Sequence, residues 1–301
     1  MKTVRIGTRG SQLALWQANE TSRRLRDAGY APELVIVKTT GDKRHDVSLA
    51  TIGGKGLFIK ELEEALERNE IDIAVHSLKD VPSLIPDHFV LAGFLERADP
   101  RDAWIHVEGK SIADMPAGSV IGTSAPRRRA QLIQLFPQLQ IEEIRGNVDT
   151  RINKARDGRY AGIILASAGL TRLGRAGEIT SYFSVDEMLP ASGQGIVGIE
   201  CLAESALGRE AAAAINHPPS ATAAIIERGV LQKFGEQLDC YSAVAVHYAN
   251  GTARAFISDY EGTRAIRVRR DGDNAVALID AVFDELVAQG AEELLCVSRK
   301  T

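Results

Sequence analysis

The chain repeats one movement: a short apolar run enters a turn of Gly, Ser or Thr and leaves as an amphipathic helix. VRIG passes through TRGS into LALWQANETSRRLRDAG, where Ser11 can cap, Leu13, Trp16 and Leu25 can share a helical face, and Gly29 can stop the helix. LVIV, IDIAV and FVLAGFL read as further strands, and FIKELEEALERNE as a helix with Phe58, Leu62, Ala65 and Leu66 on its apolar side. After the turn-rich ERADPRDA come AWIHV, SVIGTS, a helix from about Arg127 to Phe136, IEEIR, a helix near Thr150 to Arg156, and GIILASA. Strands that alternate with helices in this way form parallel sheets with crossover helices, so the class is α/β.

At 301 residues the chain exceeds one ordinary core and implies two or three domains. IVGIEC, after the flexible PASGQG, is one more β-like run and returns the chain to the first unit, giving a two-lobed body joined by two crossings. Beyond HPPS the character changes. A helix, ATAAIIERGVLQKF, precedes alternating segments broken by Asn250-Gly251, a strong hairpin signal. A helix (AVALIDAVFDELVAQG) and a strand (ELLCVS) complete a small α+β part. The expected division is 1–97 with 195–216, 98–194, and 217–301.

The formal net charge of −4 argues against a dedicated nucleic-acid or membrane-surface protein, which would be basic overall. The start, MKTVRIGTRG, has no apolar leader, and no run approaches the length of a membrane span, so the expected location is the cytoplasm. Cys201, Cys240 and Cys296 are widely spaced and odd in number, which suits neither a disulfide framework nor a CxxC metal pattern. No metal site is expected.

Against that acidic background, cations gather at the turns after the strands. In order these are Arg9 after VRIG, Lys79 after IDIAV, Arg127, Arg128 and Arg129 after SVIGTS, Arg145 and Arg151 in RGNVDTR, and Arg172 after GIILASAG. Ligands of open α/β sheets bind beyond the carboxyl ends of the strands, where helix N-termini also offer N–H groups. A lone arginine at such a turn is ordinarily a solvated charge. Recurrence at five turns from both inferred lobes points to one cleft of positive potential, suited to a partner bearing several carboxylates or phosphates. GGKG at Gly53 to Gly56 lacks Walker A spacing and no GxGxxG opens a helix, which argues against ATP and dinucleotides. That run reads as a loop, with Lys55 either an anion ligand or a solvated charge. Asp80, beside Lys79, is either a capping or charge-balancing carboxylate, or an acceptor that stabilises positive charge; in cationic surroundings it is a poor proton donor. His76 reads as structural, and no Ser/His/Asp triad is visible.

Four motifs in order, VHSLKDVP, GTSxxRR, RGNVxTR and GQGxxxIE, resemble those of the porphobilinogen deaminase (hydroxymethylbilane synthase) family, and the likeness spans nearly the whole chain. The resemblance implies two periplasmic-binding-protein-like lobes with mixed sheets plus a small α+β C-terminal domain, and a transferase of tetrapyrrole and heme biosynthesis. Such an enzyme joins four porphobilinogen molecules head to tail with release of ammonia, and the expectation is a monomer. It further implies a dipyrromethane cofactor on Cys240 through a thioether, and Asp80 as the catalytic carboxylate. Arg9, Ser11, Lys79, Arg127, Arg128, Arg145, Arg151 and Arg172 match positions that hold cofactor and substrate carboxylates. Lys55 falls on the family's flexible loop and Gln194 at the inter-lobe crossing, whereas Arg129 has no match and reads as a solvated neighbour. Two departures stand out. Asp239 precedes Cys240, where the family usually has Gly, and YSAV follows, which places a negative charge beside the thiol and disfavours thiolate. Ala125 stands where the family often has Ser, and Pro126 after it suits a first helical turn.

Two other readings remain open from the residues. A non-catalytic two-lobed binder of a polyanionic small molecule would show affinity without turnover. Nucleic-acid binding through the arginines would show steep salt dependence, but few aromatics accompany them.

Overall fold

The computed structural model describes residues 1–38, 59–238 and 242–297, with side chains as far as 295. In chain order the elements are β1 (Thr3–Thr8), α1 (Gln12–Asp27), β2 (Ala31–Ile36), α2 (Lys60–Glu67), β3 (Ile73–Ser77), β4 (Phe89–Phe94), β5 (Asp102–Ile105), β6 (Val120–Gly122) and α3 (Pro126–Leu135). There follow β7 (Gln140–Glu142), α4 (Val148–Arg156), β8 (Gly162–Ala166), α5 (Ser167–Arg172), β9 (Ser181–Tyr182), β10 (Val197–Leu202), α6 (Ala206–Ala214) and α7 (Pro218–Phe234). The chain ends with β11 (Ala243–Ala249), β12 (Thr252–Ser258), β13 (Ala265–Asp271), α8 (Ala275–Ala288) and α9 (Ala291–Val297). Two compact units form, one from Met1–Ala98 with Gly195–Ile225, the other from Asp99–Gln194 with Ile226–Thr301.

In the first unit the sheet order is β2-β1-β3-β10-β4. β1 runs parallel to β2 and β3, while β10 is antiparallel to β3 and β4, so the sheet is mixed rather than purely parallel. Ser11 caps α1 by accepting the Ala14 N–H at 3.3 Å, and Gly29 at φ 89° ends it, a backbone conformation that costs glycine least. The buried face of α1 is Gln17, Ala18, Thr21, Ser22 and Leu25, not the Leu13-Trp16-Leu25 stripe the apolar pattern suggests; Trp16 is exposed. On α2, Leu62, Ala65 and Leu66 are buried as expected, and Phe58 lies outside the described residues.

The five-stranded sheet of the second unit has the order β7-β6-β8-β5-β9. β6 runs parallel to β7 and β8, and β5 is antiparallel to β8 and β9. The two sheets therefore share one spatial plan, a strand flanked by two parallel partners, then a reversed strand, then an edge. Pro126 occupies the first turn of α3, where its missing N–H is not needed. Trp104 on β5 is fully buried, and a Cβ at Gly162 would run into its indole ring. Gly162→Ala should therefore destabilise the protein by about 1–3 kcal/mol, read from the urea midpoint at unchanged slope.

The remaining strands form the three-stranded antiparallel sheet β11-β12-β13. Ala249 pairs with Thr252 across Asn250 and Gly251, at φ 51° and 79°, as a two-residue type I′ hairpin requires. Ala243, Ala245 and Phe256 of this sheet pack on Ala130 of α3 and Leu189, within the second unit. The other face packs on Ile226, Val230 and Phe234 of α7 and on Leu278, Val282 and Leu286 of α8. ELLCVS, expected as a strand, lies instead in α9 from Glu293 to Val297, with Ser298 outside the described residues. Ala291, Leu294 and Leu295 of this helix join the same core. That spacing, i and i+3 to i+4, is helical, and six apolar-rich residues cannot distinguish the two by pattern alone.

Candidate functional site

Parallel strands end on one side of a sheet, so the register decides which turns are neighbours. In the first unit Ile6 and Gly7 of β1 sit against Ile73 and Ala74 of β3, which places Arg9 and Ser11 at the same sheet edge as Lys79 and Asp80. Gln17 Nε2 donates to Ser77 Oγ at 2.7 Å and ties α1 to the end of β3. Asp80 closes a 3-10 turn, Leu78–Asp80, that holds the chain tight as it leaves the strand. Its carboxylate is exposed and makes no hydrogen bond or ion pair with the described residues, so it neither caps nor balances a charge there. Lys79 is exposed and Arg9 half-buried. His76, one turn earlier, is buried with Nε2 3.1 Å from Glu200 Oε2, in keeping with a structural residue.

In the second unit the carboxyl ends of β6, β7 and β8 carry Arg127 to Arg129, Arg145 with Arg151, and Arg172 in turn. Rather than standing on an open rim, Arg127 and Arg128 turn inward, only 5% and 4% exposed, onto Asp102, which is fully buried. Arg127 Nη1 donates to Asp102 Oδ2 at 2.6 Å and Nη2 to Oδ1 at 3.2 Å, and Arg128 Nη2 donates to Oδ1 at 2.7 Å. Gln194 completes the cluster: its Nε2 donates to Asp102 Oδ1 at 2.8 Å and to the Pro100 carbonyl at 2.7 Å, while its Oε1 accepts from Arg127 at 3.2 Å. Burial alone would push the Asp102 carboxyl up, but Arg127 and Arg128 outweigh it and hold the group well below the ordinary carboxylate range. Burial pulls Arg127 down from its usual value, offset by Asp102.

Arg145 donates to Glu143 at 2.7 Å, and Arg151 Nε to the Gly146 carbonyl at 2.7 Å. Asn147 caps α4 by accepting the Thr150 N–H at 2.8 Å, which fixes the RGNV turn between these two arginines. Arg172 is half-buried on the last turn of α5. Arg129, expected to be a solvated neighbour, donates to the Ile141 carbonyl at 3.0 Å and lies over the Tyr260 ring at 5.6 Å. Lys55 and Cys240 lie outside the described residues. Cys201 is buried in β10, where burial pushes its thiol up to about 11, so it is an inert core residue.

Asp102 is the residue that sequence reasoning misses. It falls in the turn-rich ERADPRDA, where the strand was expected to begin one residue later. Because β5 runs antiparallel to β8, Asp102 pairs with Ala166 and so begins its strand at the edge where β8 ends. Only the direction of β5 brings a carboxylate under the first turn of α3, and direction has no signature in a single strand.

Cationic and polar side chains on loops at the carboxyl ends of parallel strands define an α/β protein of the class that places its functional groups there. The family model described as "Porphobilinogen deaminase, dipyromethane cofactor binding domain" matches residues 4–209. The porphobilinogen deaminase of Geobacter metallireducens is 47% identical over 98% of this chain and 94% of its own, and that of Geobacter sulfurreducens 46% over the same shares. Among solved structures, the methionine-binding protein MetQ covers 74% of this chain and 93% of its own at 14% identity and a TM-score of 0.45. The chain belongs to the porphobilinogen deaminase family, and its matched part is the one named for binding the dipyrromethane cofactor. No helix among the described residues is long and apolar enough to cross a membrane.

Proposed function

We propose that this chain condenses four porphobilinogen molecules head to tail into the linear tetrapyrrole hydroxymethylbilane, with release of ammonia, from a dipyrromethane primer bound covalently to Cys240. The single observation that carries the reading is the family membership over 98% of the chain. It is supported by the side chains at the two sheet edges. A dipyrromethane bears several carboxylates, and the donor set fits it: the first unit offers Arg9, Lys79 and the hydroxyl-bearing Ser11, and the second offers Arg128, Arg145, Arg151 and Arg172. In the second unit the Nε of Arg128 is a buried donor with no acceptor among the described residues. When bound, the primer supplies the electron-rich pyrrole carbon to which the next unit is joined.

The residues of the chain do the rest. Guanidinium and ammonium groups neutralise the acetate and propionate side chains and set their orientation through charge-assisted hydrogen bonds. Ser11 holds the first turn of α1 by its cap, so that turn keeps a fixed N-terminus beside Arg9. Asp80 accepts from pyrrole N–H groups and stabilises the positive charge that develops as ammonia leaves; with no partner among the described residues its carboxylate is available for that work. Lys55 completes the substrate-handling set, and Gln194 serves it indirectly, through the bonds of its buried amide to Asp102 and Arg127. We take the functional division to be 1–97 with 195–216, 98–194 and 217–301, and the protein to act as a cytoplasmic monomer. A non-catalytic binder is not favoured.

Intact mass spectrometry tests this. Protein made with porphobilinogen available should carry an adduct of dipyrromethane size on the peptide containing Cys240, absent after Cys240→Ser, and should release ammonia from porphobilinogen. Unmodified thiol throughout the preparation would defeat the reading.

A further inference from the structure

The paired arginines after β6 are chemically unequal in their surroundings, and the inference drawn from this rests on the assignment of function above. A guanidinium has four terminal N–H donors and one on Nε. All four terminal donors of Arg127 are taken inside the protein: Asp102 Oδ2 and the Leu189 carbonyl by Nη1 at 2.6 and 3.0 Å, Asp102 Oδ1 and Gln194 Oε1 by Nη2 at 3.2 Å each. Arg127 can hold a ligand carboxylate through a terminal nitrogen only by giving up one of these partners. Arg128 uses one N–H on each terminal nitrogen, to the Ile164 carbonyl at 3.0 Å and Asp102 Oδ1 at 2.7 Å. Among the described residues it therefore keeps one donor on each terminal nitrogen, and its Nε finds no acceptor there.

Asp102 is itself held from three sides. Oδ1 accepts from Arg127, Arg128 and Gln194, so the carboxylate plane is fixed by the helix, by the strand that bears it and by the loop after β9. We infer that Asp102 is a positioning residue: by holding both terminal nitrogens of Arg127 and gripping one terminal nitrogen of Arg128, it aims Arg128 as the guanidinium that meets a carboxylate of the pyrrole substrate or cofactor. Arg127 then supplies charge to the site and holds Asp102.

Charge and geometry make opposite forecasts here. Two guanidinium groups and one carboxylate give the cluster a net charge of +1, and Asp102→Asn raises it to +2 at nearly constant shape. Simple attraction would then tighten binding of an acidic substrate. Positioning instead predicts that KM for porphobilinogen rises at least tenfold in Asp102→Asn, with a smaller change in kcat, and that the fraction of protein carrying the dipyrromethane adduct falls by intact mass. An unchanged or lower KM with a full adduct would overturn the inference. Should Asp102→Asn lose the near-ultraviolet circular dichroism of its buried neighbour Trp104, Gln194→Met serves in its place. That change is neutral and similar in size, removes one acceptor from Arg127 and one donor from Asp102, and should raise KM about threefold; no rise overturns the inference. Wild-type protein with adduct and turnover, beside a variant with unaltered KM, refutes this inference alone. Wild-type protein with neither adduct nor ammonia release refutes the functional reading and this inference with it.

Discussion

Asp80→Asn should lower the turnover of porphobilinogen by about 10²–10³-fold while leaving the dipyrromethane adduct in place. The amide keeps the shape of the carboxylate and one acceptor oxygen but has no charge to set against a developing cation. Its fold consequences are small, because Asp80 is exposed at the end of its 3-10 turn and bonds to no described residue. Surface changes of this kind stay within about 0.5 kcal/mol of the parent protein, so the thermal midpoint should be unmoved. The measurement is ammonia release under saturating substrate, with intact mass as the check on loading. A kcat within threefold of the parent would remove Asp80 from the chemistry.

A different kind of loss is expected at Asp102→Ala. Deleting the carboxylate leaves Arg127 and Arg128 side by side, 5% and 4% exposed, with no counter-charge. Breaking a buried pair from one side costs about 3–5 kcal/mol, because the partner remains charged and desolvated. Equilibrium urea unfolding would report this as a large drop in midpoint, and a change below about 1 kcal/mol would show that water reaches the cluster. Acid behaviour follows the same pair. The folded-state pKa of Asp102 lies below its unfolded value of about 3.9, so its contribution is complete above that pH and fades as pH falls toward the folded value. The parent should therefore lose stability steeply below about pH 4, and Asp102→Ala should lose less over the same interval.

Much of the architecture was legible because its signals are local. Ser11 and Gly29 bracket α1, Pro126 opens α3, and Asn250-Gly251 turns β11 into β12, each through backbone chemistry that a few residues carry. The cationic turns were legible too, since a turn after a strand is visible in the sequence. What escaped depends on partners far along the chain. Gln17 is buried on α1 because Ser77 of the sheet accepts from it, while Thr21 and Ser22 are buried beside it with bonds inside the helix, to the Gln17 carbonyl and from Arg26, and no apolar stripe announces that. Arg127 and Arg128 turn inward because an antiparallel strand delivers Asp102 beneath them. Glu293 to Val297 fall in α9 because the core of the last sheet accepts Leu294 and Leu295 from a helix.

The place of β10 has a consequence for how the protein is born. It lies between β3 and β4, yet it is encoded about a hundred residues after either, beyond the whole second five-stranded sheet. A nascent chain that has just cleared the ribosome through residue 98 has no bridge from β3 to its edge strand. The amino-terminal unit must wait for residues 197–202 before its sheet can close, while the intervening sheet already has all its strands. Such long-range pairing raises contact order and slows folding, so translation favours completion of the inserted five-stranded sheet ahead of the sheet that was started first.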